Sequence, residues 1–521
     1  MRRVNLFFGT VLLLLWVQFR ETGLPGLSAE LELSTGVPAR VYLFKDDRPF
    51  RLSPVDALLP LHVDLFYRER LWRRVPSPAT LEVTANEQSH FFLLRGRARF
   101  VLPPGKYRVE AYRGFLHKPA FEEFTLGPRS ERRVELRLQP MAETGWLSGD
   151  DHIHLTRAPE DDDVFLGVLE AEDLSVGNFL QLQRQMDAAV QYGFGSKAEA
   201  RRPGYSIRPG HESRSHFYGH VNVLGPREIL RPLSVGEVYS NSGDAWPFPN
   251  VLFRRGRELG ATVGYAHFDG SQPHSSLLMD LALDSIDFIE VFQFGVLHDE
   301  RWYELLNAGL RVTGIAGSDF PVPLNNRKPW PRSIPLLGPE RTMVKAAPGP
   351  SAYESWAASV RAGRASVTNG PLLELTVNGQ EPGAVLDAPA AEGRARVVFH
   401  RPIEKLEIIA NGQVVAERAG DGAATELTLP FAIKTSDSTW IAARASSPKI
   451  ENEPDIRAHT NPVYVLRSGR RVRVEAARRA VLARWEREAE YYRTGGLRFA
   501  DESQRRELLE KVDAALDVLR K

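Results

Sequence analysis

Apolar and polar positions repeat along this chain with two different periods, and the change of period marks out its parts. Ala39–Phe44, Thr80–Val83, Phe91–Leu94 and Arg133–Leu138 alternate every second residue, as strands with one buried face do. Pro103-Pro-Gly-Lys-Tyr-Arg-Val-Glu-Ala111 adds a turn feeding a strand, so 30–140 is expected to be a β-sandwich. The pattern then changes. Asn250–Leu259 reads as a helix, capped by Gly260 and followed by the apolar strand Ala261–Ala266 and then His267. The same order recurs as Asp299–Ala308, Gly309, Leu310–Ala316 and Gly317-Ser-Asp319. A helix closed by glycine and followed by an apolar strand is the repeating unit of parallel α/β sheets. Val164–Leu174, His220–Leu224, Ile286–Phe292 and Thr342–Val344 read as further strands, and a closed or distorted barrel over 141–350 is the expected result.

Beyond it comes an amphipathic helix carrying Tyr353, Trp356 and Val360. Strand patterns then return at Leu373–Val377, Ala395–Phe399, Leu406–Ile409 and Thr439–Ala442, so 351–466 reads as a helix plus an Ig-like β domain. In 467–521, Val474, Ala477, Val481, Trp485, Ala489 and Tyr492 form one helical stripe. Leu508, Val512, Ala515 and Leu519 form another, and both helices are expected to dock on the body.

With 521 residues, several domains are required. A net charge of +1 gives no support for a nucleic-acid partner. The absence of cysteine excludes disulfides, thiolate metal sites and a cysteine nucleophile, which leaves His, Asp and Glu for any metal. At the start, Met1-Arg-Arg precedes an apolar run to about Phe19 and a Gly/Pro/Ser-rich stretch to Ala29. Residues 1–29 read as a secretory signal, with an uncleaved anchor as the alternative, so the protein is expected to be periplasmic or extracellular. Contact with a membrane is expected only if that segment is retained.

The chemistry begins at Trp146-Leu-Ser-Gly-Asp-Asp-His-Ile-His154. In a strand, residues i and i+2 share a face, so His152 and His154 aim at one point while Ile153 turns away. Two converging imidazoles with carboxylates nearby suit Zn or a similar cation. Glu172, at the end of an apolar run read as a strand, would need a partner if buried. It is expected either to ligate metal or to orient a ligating histidine.

Six motifs occur in order: Gly145–His154, Ala171-Glu-Asp-Leu174, Gly210-His-Glu212 with Gly219-His-Val-Asn-Val-Leu-Gly225, Ala266-His-Phe-Asp-Gly270, Trp302–Asp319 and Thr368-Asn-Gly-Pro371. Together they resemble the CehA/McbA-type metallohydrolases, a branch of the PHP (polymerase and histidinol phosphatase) superfamily. The Pro103–Ala111 turn resembles that of prealbumin-like and carboxypeptidase-regulatory-like sandwiches. The resemblance implies a distorted (β/α)7 TIM-like barrel with metals at the C-terminal ends of its strands. It implies His152, His154, Glu212, His220, His267 and Asp319 as ligands, with Glu212 bridging where two ions are held. Zn, Mn or Fe, as one or two ions, suits such a set. It further implies hydrolysis of a small-molecule ester, carbamate or phosphoester, with Asp319 as proton acceptor and His220 or His267 as acid.

There are departures from the pattern. Pro321 stands where a second histidine often follows the late aspartate, and Ala171-Glu-Asp173 lacks the histidine of the early element. A third metal is therefore not expected, and Glu160–Asp163 reads as a solvated loop. Asp150 and Asp151 are placed to support ligand imidazoles. His211 and His216 could face substrate, as could Arg327, Lys328 and Arg332 in the loop after Asp319, with surface loops as the alternative. His62, His90 and His117 read as scattered surface or core residues, and His274 and His298 are unassigned. No G-x-S-x-G serine elbow occurs. The competing reading is a carbohydrate- or surface-binding β-sandwich protein with a structural or vestigial metal. A nuclease is disfavoured by the near-neutral charge and the expected export.

Overall fold

A computed structural model of the chain describes residues 27–50, 57–63, 80–85, 89–141, 145–183, 188–215, 217–231, 245–268, 275–322 and 331–521. The N-terminal apolar run lies outside these residues. Among the described residues, no helix is long and apolar enough to cross a membrane.

Two sheets face one another in the N-terminal part. Glu131–Glu135, Ala29–Ser34 and Arg97–Leu102 form the smaller; Ala39–Lys45 and Gly105–Tyr112 pair within the larger. Alternate residues meet between them, including Leu31, Leu33, Val41, Phe92, Phe100 and Val109. The opposite face of the larger sheet carries Tyr42, Phe44, Phe91 and Leu93 onto the helix Asp162–Ala171.

The central region is built on eight strands: β1 (Trp146–Ile153), β2 (Val176–Gln183), β3 (Tyr205–Ser215), β4 (Gly219–Leu224), β5 (Thr262–Tyr265), β6 (Phe288–Gln293), β7 (Thr313–Ala316) and β8 (Arg341–Lys345). β1–β2, β2–β3, β5–β6 and β6–β7 pair in parallel. β3–β4, β4–β5 and β8–β1 are antiparallel. From β8 the sheet continues through Ser366–Thr368 and Arg457–Thr460 into the C-terminal β region.

This arrangement overturns the expected (β/α)7 TIM-like barrel. The described structure has 40% of its residues in strands against 22% in helices, with a large mixed sheet at its centre and seven helices. A parallel barrel needs a crossover after every strand. Here β3 turns straight back into β4, and the helix Pro249–Glu258 joins two antiparallel strands. Val164–Leu174, read as a strand, is mostly the helix Asp162–Ala171. Its Val164-to-Leu169 run is buried throughout, against the N-terminal sheet and against Phe179 and Ile207, so it shows no polar face from which a helical period could be read.

In the C-terminal β region, Leu372–Val377, Ala390–Val398 and Glu426–Lys434 face the sheet holding Lys405–Ala410 and Thr439–Ser446 across Leu375, Val397, Ile408, Phe431 and Ile441. The helices Glu475–Thr494 and Glu502–Arg520 bury Val481, Trp485, Tyr492, Leu508 and Val512 in the same core as Phe253 and Leu306.

Under these helices, buried Asp280 accepts hydrogen bonds from Tyr265 Oη (2.7 Å), Asn250 Nδ2 (3.0 Å) and Ser276 Oγ (3.1 Å). Burial outweighs these bonds and the pull of Lys511, and pushes its pKa up to about 6. The folded state thus holds this proton to higher pH than the unfolded chain, so the contribution of Asp280 to stability falls as pH rises from the ordinary carboxyl value to about 6. Asp280→Asn is expected to flatten that part of the stability–pH profile in denaturant titrations; an unchanged slope would refute it.

Candidate metal centre

The end of β1 carries the centre. His152 and His154 are fully buried with their Nε2 atoms 3.1 Å apart, and Ile153 turns into the core. β3 brings Glu212, whose Oε2 lies 3.1 Å from His154 Nε2. Its Oε1 lies 3.0 Å from His220 Nδ1, 3.6 Å from His267 Nε2 and 3.7 Å from His152 Nε2. The loop after β7 brings Asp319, whose Oδ1 sits 3.4 Å from His152 Nε2 and 3.3 Å from His154 Nε2. Two overlapping groups result, His152–His154–Asp319 and His152–Glu212–His267, each with ligand atoms within 4.8 Å of one another. Buried His152, His154 and Asp319 lie close enough together to hold a metal ion.

The backbone is shaped for this convergence. His267 and Asp319 both adopt left-handed φ, 51° each, a conformation that non-glycine residues take at a cost. Gly317 admits no side chain, since a Cβ there would collide with Asp151 Oδ1 and crowd His152 Cβ at 3.0 Å. The Gly-Ser-Asp turn can therefore lie directly against the His152 strand.

Three imidazoles have their outer nitrogens engaged. His152 Nδ1 donates to Glu290 Oε1 (2.7 Å), His267 Nδ1 to Gln293 Oε1 (2.6 Å) and His154 Nδ1 to the Leu180 carbonyl (3.3 Å). In the neutral ring this leaves each Nε2 as the inward-facing lone pair, the tautomer a metal requires. Meanwhile Glu212 Oε1, Asp319 Oδ1 and His220 Nδ1 are buried without a hydrogen bond. Buried polar atoms are nearly always paired. A cation among them would satisfy all three, so the donor set fits a metal.

The electrostatics agree. Burial opposes the charge on Glu212, yet Arg214, His220 and the neighbouring imidazoles hold its pKa well below the ordinary value. Asp319 is also lowered, by His152, His154 and His267 against the burial cost. Burial works against protonated His152, but Glu290, Asp319 and Glu212 raise its pKa well above the usual imidazole value. His267 is raised for similar reasons. Burial dominates at His220 and pushes it down to about 4.

Supporting residues surround the ligands. Glu290 also accepts from the His267 backbone N–H (2.7 Å) and Asn222 Nδ2 (3.0 Å). Burial and the adjacent Glu290 push the pKa of Asp151 well above its ordinary carboxyl value. Asp150 receives Ser318 Oγ (2.6 Å) and the N–H groups of His152, Ser318 and Gly338, which locks the turn in place. Arg214 Nε donates to Glu212 Oε2 (2.6 Å). Glu290→Gln is expected to weaken metal affinity about 10–100-fold, the usual cost of losing an outer partner. Metal titration of the purified variant would check this, and an unchanged affinity would dismiss the role.

Glu172 is corrected. It does not reach the centre. Its carboxylate forms a buried ion pair with Arg40 (2.9 Å) and accepts from Leu336 N (2.7 Å), at the end of a helix and not of a strand. The acidic run is likewise not a free loop: Asp162 pairs with Arg157, and Asp163 with Arg95 and Arg202, in the first turn of that helix. Arg332 ion-pairs with Glu110 of the N-terminal sheet, and His117 lies 3.5 Å from Asp173. His211 is buried but belongs to neither ligand group, and His298 packs beside Phe268. His216, His274, Arg327 and Lys328, and the side chains of His62 and His90, lie outside the described residues.

Arg214, Asn222, Gln293 and the role of Glu290 escaped the sequence reading. Arg214 was within reach, because it stands two residues from Glu212 on the same strand. Glu290 carries the signal credited to Glu172, an acid in an apolar strand that must find a partner.

No family model matches the chain, and no curated protein matches it. Among solved structures, PsfC from Pseudomonas syringae PB-5123 aligns over 41% of this chain and 88% of its own, at 15% identity and a TM-score of 0.27. A likeness that weak carries no argument about fold or function.

Proposed function

We propose that this protein is a metal-dependent hydrolase of small-molecule esters, carbamates or phosphoesters. The observation that carries the reading is the set of three inward-facing Nε2 atoms around Glu212 and Asp319, whose buried oxygens Oε1 and Oδ1 have no hydrogen bond. Resemblance of the six motifs to CehA/McbA-type enzymes supports it independently of the fold. His152, His154 and Asp319 would hold one ion, and Glu212 with His267 a second; imidazole and carboxylate donors suit Zn, Mn or Fe. A bound divalent cation supplies Lewis-acid polarisation and lowers the pKa of its water.

The chain's own residues supply the rest. Glu290, Gln293 and the Leu180 carbonyl keep the three imidazoles in the ligating tautomer. His220, pushed down to about 4, is neutral at pH 7 and suits a metal ligand. Arg214 places a fixed positive charge beside Glu212 and 3.9 Å from Asp319, where negative charge on a substrate would be steadied.

Elemental mass spectrometry of purified protein, with nitrophenyl ester, carbamate and phosphoester assays before and after chelation, tests the proposal. Bound Zn, Mn or Fe and chelator-sensitive turnover of one bond class are expected. No metal after reconstitution would overturn the reading. Stoichiometric metal with no turnover of any class would shift it to a structural metal in a binding protein.

A further inference from the structure

The centre lies past the C-terminal ends of β6 and β7. At their opposite ends, beside Asp287 and Leu310–Thr313, is a cleft of about 430 Å³ lined by Arg257, Arg311, Arg361 and Arg471. A second cleft of about 640 Å³ shares Leu310 and Arg471 with it and adds Arg470. These arginines come from separate elements: two helix ends, the approach to β7, and the link into the C-terminal helices.

Some of that charge is accounted for locally. Arg257 pairs with Asp287 (2.8 Å), and Arg361 donates to Thr262 Oγ1 (2.6 Å). Both stand in the last turn of a helix, where a cation offsets the dipole. Arg311, Arg470 and Arg471 are different. Among the described residues none of the three has a carboxylate partner; Arg311 lies over the Tyr464 ring (5.7 Å), and Arg470 reaches only the Arg467 carbonyl (3.5 Å). The carboxylates of Asp284 and Asp287 in one cleft and of Asp437 in the other are outnumbered by these exposed guanidinium groups, and an anion seated there would offset the excess positive charge. Their planar forks match the oxygens of a tetrahedral oxyanion, and the clefts have room for the remainder of a small molecule.

We propose that these clefts bind a phosphate monoester through Arg311, Arg470 and Arg471, at a site separate from the metal centre. The phosphate could belong to a soluble molecule or to a lipid headgroup, and the probes distinguish these sources. Calorimetry would use the full chain after chelation, with glycerol 3-phosphate in one arm and phosphatidic acid/phosphatidylcholine vesicles in the other, phosphatidylcholine vesicles serving as blank. Arg311→Gln and Arg471→Gln test the site. Arg137→Gln, an exposed charge change on the N-terminal sandwich, controls for general electrostatics.

Saturable binding weakened about tenfold or more in each cleft variant, and unchanged in Arg137→Gln, is expected from losing a charge-assisted hydrogen bond. Binding of glycerol 3-phosphate alone would assign a soluble ligand, and binding of phosphatidic acid vesicles alone a headgroup. Absence of saturable binding in both arms would overturn the proposal, as would equal weakening in all three variants. Melting curves of the variants guard against loss of fold being read as loss of binding.

Discussion

His154→Ala is expected to abolish metal binding and hydrolysis together, and Asp319→Asn to do the same. His154 Nε2 faces both Glu212 and Asp319, so its removal strips one donor from the His152–His154–Asp319 group and leaves two carboxylates facing each other with one imidazole fewer between them. Both losses should exceed the 10–100-fold cost of removing an outer partner. Chelation should also lower the melting temperature of the parent protein and leave that of His154→Ala unchanged. An ion present at about a thousand times its dissociation constant stabilises the folded state by about 4 kcal/mol. Protons compete for the same site. His152 and His267 have raised pKa values in the metal-free cluster, so each ion bound must displace protons. Affinity should therefore rise with pH through the neutral range. Metal content by elemental mass spectrometry, and titrations at about pH 6 and about pH 8, would check both points. Full stoichiometric metal in His154→Ala would sink the assignment.

How much of this could be read from the chain depends on the length scale of each signal. The convergence of His152 and His154 follows from a two-residue period, and β1 places them as that period requires. Glu212, His220, His267 and Asp319 meet them from far along the chain, and only the order of the motifs pointed to them. The barrel failed for local reasons. Ser215 and Gly219 are joined by the short 216–218 link, much too short for the dozen or so residues of a parallel crossover. That constraint was visible, but the helix–glycine–strand units on either side of β6 outweighed it. The Asp162–Ala171 helix was hidden by burial on both flanks, which removed the polar positions that would have shown its period. Glu172 was misplaced with it, because an acid at a strand's end points to a site, while an acid closing a buried helix points to a partner across a domain contact. That partner, Arg40, sits 132 residues earlier on a strand whose alternation marks it only as polar.

Arg40→Ala is the second large effect, and it separates the structural role of Glu172 from the ligand role first expected of it. The guanidinium Nη1 donates to both carboxylate oxygens of Glu172, at 2.9 and 3.1 Å, and Nη2 donates to the Arg332 carbonyl at 2.8 Å. Both side chains are shut away from solvent, at 1% and 0% exposure. The rings of Tyr42, Phe91 and Tyr112 lie around Arg40, and desolvation, though opposed to its charge, is outweighed by Glu172 and the tyrosines. Removing Arg40 leaves a buried carboxylate with only the Leu336 N–H, which should cost about 3–5 kcal/mol of stability. Because the pair is buried, added salt should change that cost little. Glu172→Gln should also destabilise while keeping its metal and activity. Replacing both partners by leucine should recover much of the loss, since apolar groups remove the unpaired charge. Denaturant unfolding and metal analysis of the three variants decide the matter: loss of metal from Glu172→Gln at unchanged stability would return Glu172 to the centre and refute the ion pair as its purpose.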